Sequence, residues 1–214
     1  MNELIFLLHA LFIGLSTVLM RKLGAEALIA FISVQCIAAN IFVLKQISLF
    51  CLTATASDAF TVGATLGLEL LQENYGQAMA KKAITISFIL LAFFCLATYV
   101  HLMYIPAPCD FAHLHFATLF APTPRIIMAS LMVYLFVQYA ASWLYAFLQK
   151  TCHFLSVFAR TLIVLIVSQT VDTILFSFLG LYGIVSDIFQ VIIISLSVKL
   201  AVSFFSTAVL KFIK

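Results

Sequence analysis

The sequence predicts an all-α fold, a polytopic transmembrane helix bundle of about seven helices, on three observations. Charged residues make up 9% of the 214 and hydrophobic types 65%, where a soluble domain carries roughly 25% charged residues to stay hydrated. Mean hydropathy is +1.21. The apolar runs are also continuous and about 20 residues long, enough to cross roughly 30 Å of hydrocarbon as a helix. A membrane barrel would show alternation instead.

The runs justify the helices in order. The first, about residues 4–20, follows Met1-Asn2-Glu3 without a basic leader. It ends at Arg21-Lys22, where a signal peptide would carry small cleavage-site residues, so it is expected to remain as a helix. The others fall at about 25–44, 48–73, 83–105, 125–149, 157–183 and 187–210. Connections are short and leave no room for a soluble domain. With the N-terminus outside, Arg21, Lys22, Lys81, Lys82, Lys150, Arg160, Lys211 and Lys214 all fall on the cytoplasmic side; Lys45 lies outside and Arg125 at the outer mouth of its helix. The longest connection, about 106–124, is then external and holds Pro106, Pro108 and Pro122, with Pro124 abutting the next helix.

Net charge is +3, and the basic residues flank spans rather than forming a patch, so no nucleic-acid partner is expected. The five cysteines are dispersed and read as small core residues. No P-loop, nucleophile elbow or His-Glu-x-x-His motif occurs, so neither ATP hydrolysis nor an enzyme is indicated. Asp110, His113 and His115 form an Asp-x-x-His-x-His string in the external loop. A short exposed loop is a poor metal cage, and neither a metal nor a cofactor is expected.

Functional evidence lies in polar groups within the spans. Thr53 to Asp58 is too polar for lipid. Ala59, Gly63 and Gly67 follow at spacing four, a small-residue stripe for close helix packing, with Glu69 and Glu73 expected on the same face as a polar cavity wall. Pro124 suits a first helical turn, and Arg125, Ser130, Tyr134 and Gln138 descend the helix that follows. Ser168, Gln169, Asp172 and Thr173 sit mid-span. A carboxylate there costs about 2.5–3.5 kcal/mol on insertion scales, so Asp172 should face a cavity or a partner such as Arg125 or Lys199. Asn40 is cheaper and suits helix–helix hydrogen bonding.

Three stretches resemble the queuosine-precursor transporter family of the bacterial inner membrane, a group also described as vitamin uptake transporters. They are Gly67-Leu68-Glu69-Leu70-Leu71-Gln72-Glu73-Asn74-Tyr75-Gly76, Pro124-Arg125-Ile126-Ile127-Met128-Ala129-Ser130 with Tyr134 and Gln138, and Ser168-Gln169-Thr170-Val171-Asp172-Thr173. The resemblance covers roughly residues 30–210. It implies a six-helix core over 25–214, with residues 1–24 as an extra N-terminal transmembrane helix. It also implies import of 7-deazaguanine precursors (the cyano or aminomethyl forms, or queuine) for tRNA modification. Such a base is flat and neutral, with N–H donors beside a carbonyl. A carboxylate can accept from the donors, amides can meet the other edge, and aromatic rings can stack on the face. Asn40, Glu69, Glu73, Arg125, Tyr134, Gln138, Gln169 and Asp172 are the expected substrate-binding set. The competing reading is a substrate-binding membrane subunit for a vitamin-like heterocycle, working with a separate ATPase module.

Overall fold

The computed structural model describes residues 1–152, 154 and 157–212; the side chains of Glu69 and Gln138 lie outside the described residues. Among the described residues, seven long helices form the bundle. They are α1 (Asn2–Leu23), α2 (Ala25–Phe42), α3 (Asp58–Tyr75), α4 (Gln77–Leu102), α6 (Thr123–Thr151), α7 (Val157–Phe176, continued by a π-helical turn, Ser177–Leu181) and α8 (Ile188–Phe212). A short α5 (His113–Phe120) precedes α6, and two strands, β1 (Gln46–Leu49) and β2 (Leu52–Thr55), lie between α2 and α3.

Among the described residues, five stretches are long and apolar enough to cross a membrane: Asn2–Leu23, Ala25–Phe42, Gln77–Leu102, His113–Val137 and Leu162–Leu181. Their outward faces expose rows of large apolar side chains, among them Leu4, Leu8, Leu11 and Leu15 on α1. Water would not tolerate that much continuous apolar surface, but lipid tails do. The protein is a multi-pass membrane protein.

α3 is the least apolar long helix, and the fold shields it by packing it against α1, α2, α4 and α8. Its small residues make this possible. A Cβ added at Gly63 would overlap Gln35 Oε1 of α2 and Ile13 Cγ2 of α1, and one at Gly67 would press on Ile32. Single glycines with positive φ join α1 to α2 and α3 to α4, Gly24 (111°) and Gly76 (83°). Only glycine adopts these values without steric cost. Ser33 Oγ and Ser87 Oγ, 2.9 Å apart, join α2 to α4.

The sequence reading placed a helix from about residue 48, and the structure corrects it: residues 46–55 form an antiparallel hairpin and α3 starts at Asp58. Polar Gln46, Ser48, Thr53 and Thr55 alternate with apolar Ile47, Leu49, Leu52 and Ala54, the period of a strand. Leu49 and Ala54 are buried against Ile194 of α8. The turn sits on Phe50 and Cys51, both at positive φ. The hairpin is tied down on several sides. Asn2 Nδ2 donates to Ser48 O (3.0 Å) and Phe50 N to Glu3 Oε1 (3.1 Å). Ser186 N donates to Gln46 Oε1 (2.8 Å) and Thr53 N to Gln190 Oε1 (2.6 Å). These bonds put the chain start, the hairpin and the α7–α8 connection at one end of the bundle. Arg21, Lys22, Lys81 and Lys82 belong to the other end.

Candidate functional site

A cavity of about 410 Å³ opens between six helices, α2, α3, α4, α6, α7 and α8; among the described residues α1 contributes nothing to its lining. The volume falls within the range of small-molecule sites. One wall carries the charge. Lys199 Nζ of α8 donates to Asp172 Oδ2 (2.9 Å) and to Thr173 Oγ1 (3.2 Å) of α7. The lysine side chain is 11% exposed and the aspartate 31%. Lys199 is therefore the partner of Asp172, and Arg125 is not. Each ion was costly in a membrane interior, and each now offsets the other's desolvation.

The opposite wall comes from α2 and α3. Asn40 is buried, donates through Nδ2 to Cys36 O (2.8 Å), and leaves Oδ1 without a partner. That bond turns the amide back on its own helix, and Asn40 lines the cavity. From α3 the lining residues are Thr61, Ala64, Thr65 and Leu68, spaced three and four apart and so on one face. Gln169 and Ser168 extend the α7 wall beside Asp172, and α6 supplies Ser130 and Tyr134. Phe88 of α4, Phe176 of α7 and Tyr134 give the cavity aromatic surfaces. It can thus offer carboxylate and amide acceptors, hydroxyls and an ammonium around a flat ligand.

Of the eight residues in the expected substrate-binding set, the structure brings four to the cavity: Asn40, Tyr134, Gln169 and Asp172. Two lie elsewhere. Glu73 is exposed near the far end of α3. The step from Gly67 to Glu73 turns a helix by about 240° beyond one full turn, so Glu73 does not share the small-residue face, which packs on α1 and α2 rather than lining the cavity. Arg125 is also exposed: Nε donates to Leu179 O (3.0 Å) and Nη2 to Tyr182 O (2.9 Å). These carbonyls are freed where α7 ends, so the guanidinium fastens the start of α6 to that end. Glu69 and Gln138 lie outside the described side chains. In the external loop, Asp110 Oδ1 accepts from Ala112 N (2.7 Å) and His113 N (3.3 Å), so the carboxylate shapes the turn into α5.

Sequence reasoning left Lys199 out of the binding set, although a lysine within an apolar run signals a polar interior as strongly as Asp172 does. Thr61, Thr65 and Ser87 were missed because threonine and serine are common in ordinary membrane helices, where they bond back to their own backbone. Thr65 Oγ1 does so to Thr61 O (3.0 Å).

Comparison with known proteins places the chain among transporters. The chain is 29% identical over 197 residues to a protein of Bacillus subtilis (strain 168) named "Probable queuosine precursor transporter", the match covering 87% of this chain and 82% of that protein. No solved structure matches. The family described as "Putative vitamin uptake transporter" matches residues 55–213, which include every helix of the cavity except α2. The chain belongs to that family.

Proposed function

We propose that the protein imports queuosine precursors, 7-deazaguanine bases such as the cyano or aminomethyl forms or queuine, across a bacterial inner membrane, and that it moves them without altering them. The observation that carries this reading is the Asp172 carboxylate, fixed through one oxygen by Lys199 in a cavity with aromatic surfaces. Its second oxygen suits the adjacent N–H donors of a deazaguanine. A carboxylate reading a base's amino group is a recurring pairing in nucleobase recognition. The amides of Asn40 and Gln169 serve the remaining polar edge, and Phe88, Phe176 and Tyr134 stack on the ring. The relative's name supports the same cargo. In this arrangement Asn40, Tyr134, Gln169 and Asp172 bind the base, with Lys199 positioning Asp172. The family's description makes a vitamin the competing cargo.

Uptake of labelled deazaguanines by cells that cannot make queuosine precursors, with and without this chain, tests the reading. Guanine and a labelled vitamin are the controls. Accumulation of a deazaguanine alone supports it; accumulation of the vitamin alone overturns it.

A further inference from the structure

Among the described side chains, the ion pair in the cavity leaves one buried carboxylate unaccounted for. Asp58, at the start of α3 beside the lining residue Ser57, is 3% exposed. Ser195 Oγ of α8 donates to its Oδ1 (2.8 Å), and its Oδ2 meets no donor. Thr55 Oγ1 and Ser57 Oγ, 2.8 Å apart, bond to each other, and neither bonds to Oδ2. Ser195 lies one turn before Lys199 on the same face of α8. One face of α8 thus serves both carboxylates, with Ser195 bonded to Asp58 and Lys199 to Asp172. The other charged groups of the surrounding helices that the structure describes, among them Glu73 of α3 and Lys81 and Lys82 of α4, do not line the cavity. His9 of α1 meets Phe60 edge-on (4.8 Å), and Cys36 of α2 and Tyr134 of α6 line the cavity.

Counted as ions, Asp58, Asp172 and Lys199 leave one uncompensated negative charge in a low-dielectric interior. A buried ionised carboxylate with an empty oxygen is costly, and one proton on Oδ2 removes that cost. We propose that Asp58 is the proton site of a proton-coupled importer, taking up one proton for each substrate carried, with Lys199 as the link to the substrate site. This rests on the transport reading given above and adds its driving ion. An O–H bond forms at Asp58 Oδ2 with a proton from water on the hairpin side. It breaks when the proton leaves to water on the basic side, and Lys199 remains an ammonium throughout. With Asp58 protonated, Lys199 is committed to Asp172 and Thr173, the arrangement observed, and Asp172 is held in place for the substrate. With Asp58 ionised, Lys199 is drawn toward a second carboxylate, Asp172 loses its anchor, and the substrate binds more weakly. Proton and substrate therefore favour each other's binding, the reciprocity that coupled transport requires.

Purified full-length protein in proteoliposomes tests this with labelled 7-cyano-7-deazaguanine. An inwardly directed proton gradient should drive accumulation, and a sodium gradient should not. Asp58→Asn, which keeps the acceptor for Ser195, should abolish accumulation yet still exchange external label for internal unlabelled base. Accumulation by this variant equal to that of the wild type, or wild-type accumulation driven by sodium or by no gradient, overturns the proposal. Should Asp58→Asn not fold, Ser195→Ala is the substitute. It removes the donor that favours the ionised carboxylate, so accumulation should persist to higher external pH, and an unchanged pH profile overturns the proposal. A cargo-free measurement separates the two ideas. Between pH 8 and pH 5 the wild type, in detergent with a pH-indicator dye, should bind about one proton more than Asp58→Asn. A one-proton difference in a protein that moves no deazaguanine retains the proton site and removes the cargo; no difference removes the proton site.

Discussion

Lys199 Nζ donates to Asp172 Oδ2 at 2.9 Å, joining α8 to α7 at the wall of the cavity. The pair serves two ends at once. It neutralises two charges inside a membrane bundle, and it holds the Asp172 carboxylate through one of its two oxygens. In Asp172→Asn the amide carbonyl can still accept from Lys199, so the helices should remain joined. The amide N–H₂, however, opposes the donors of a deazaguanine. Losing one hydrogen bond to a charged group costs about 1.5–3 kcal/mol, which lowers affinity roughly ten- to a hundredfold. Binding per folded molecule, measured beside total membrane yield, checks this. Unchanged affinity with poor yield would make Asp172 a structural residue only.

Arg125 gives the opposite expectation. Its guanidinium fastens the start of α6 to the Leu179 and Tyr182 carbonyls and stands apart from the cavity. Arg125→Gln should lower the melting temperature of the purified protein and leave substrate affinity within about twofold, since surface and rim changes away from a site shift energies by roughly 0.5 kcal/mol or less. A tenfold loss of affinity at normal stability would return Arg125 to the binding set.

Gly63 tests the packing of α3. A methyl group there overlaps Gln35 Oε1 and Ile13 Cγ2, so Gly63→Ala should cost roughly 1–3 kcal/mol, as overpacking does. Both amide atoms of Gln35 are buried without a partner. Adding Gln35→Ala should therefore recover part of the loss by removing one obstacle and no hydrogen bond. Thermal unfolding of the single and double variants in detergent reads the outcome, and a double variant less stable than Gly63→Ala would contradict this geometry.

The hairpin turn offers a stabilising change. Phe50 (φ 50°) and Cys51 (φ 63°) occupy the two central turn positions in left-handed conformations, where two-residue turns favour Asn-Gly. Replacing the pair with Asn-Gly should raise the melting temperature by roughly 2–4 °C. A lowered melting temperature would mean that Phe50 and Cys51 stabilise the protein through contacts outside the turn.

The helices were legible because lipid enforces a simple rule, about 20 apolar residues per crossing, and the sequence obeys it on both sides of the central segment. The hairpin was hidden because its turn lacks glycine, asparagine and proline, and because Leu49, Phe50, Cys51 and Leu52 join into an apolar run resembling the start of a span. Asp172, Gln169, Tyr134 and Asn40 stood out by being polar where polarity is costly. Asp58 had the same property, but it read as the end of a polar segment inside the span, Thr53 to Asp58, because the helix was begun ten residues too early. Arg125 and Glu73 were drawn into the site by sequence proximity to its helices. Only tertiary packing separates an inward-facing charge from one at a helix end that meets water or a free carbonyl.

Equilibrium binding to the purified protein tests the central claim most directly, with 7-cyano-7-deazaguanine and a vitamin measured separately against wild type and Asp172→Asn. The account predicts saturable binding of the deazaguanine by the wild type, weakened at least tenfold in Asp172→Asn, and no competition from the vitamin. Tight binding of the vitamin with none of the deazaguanine, or equal deazaguanine binding by both proteins, would contradict it.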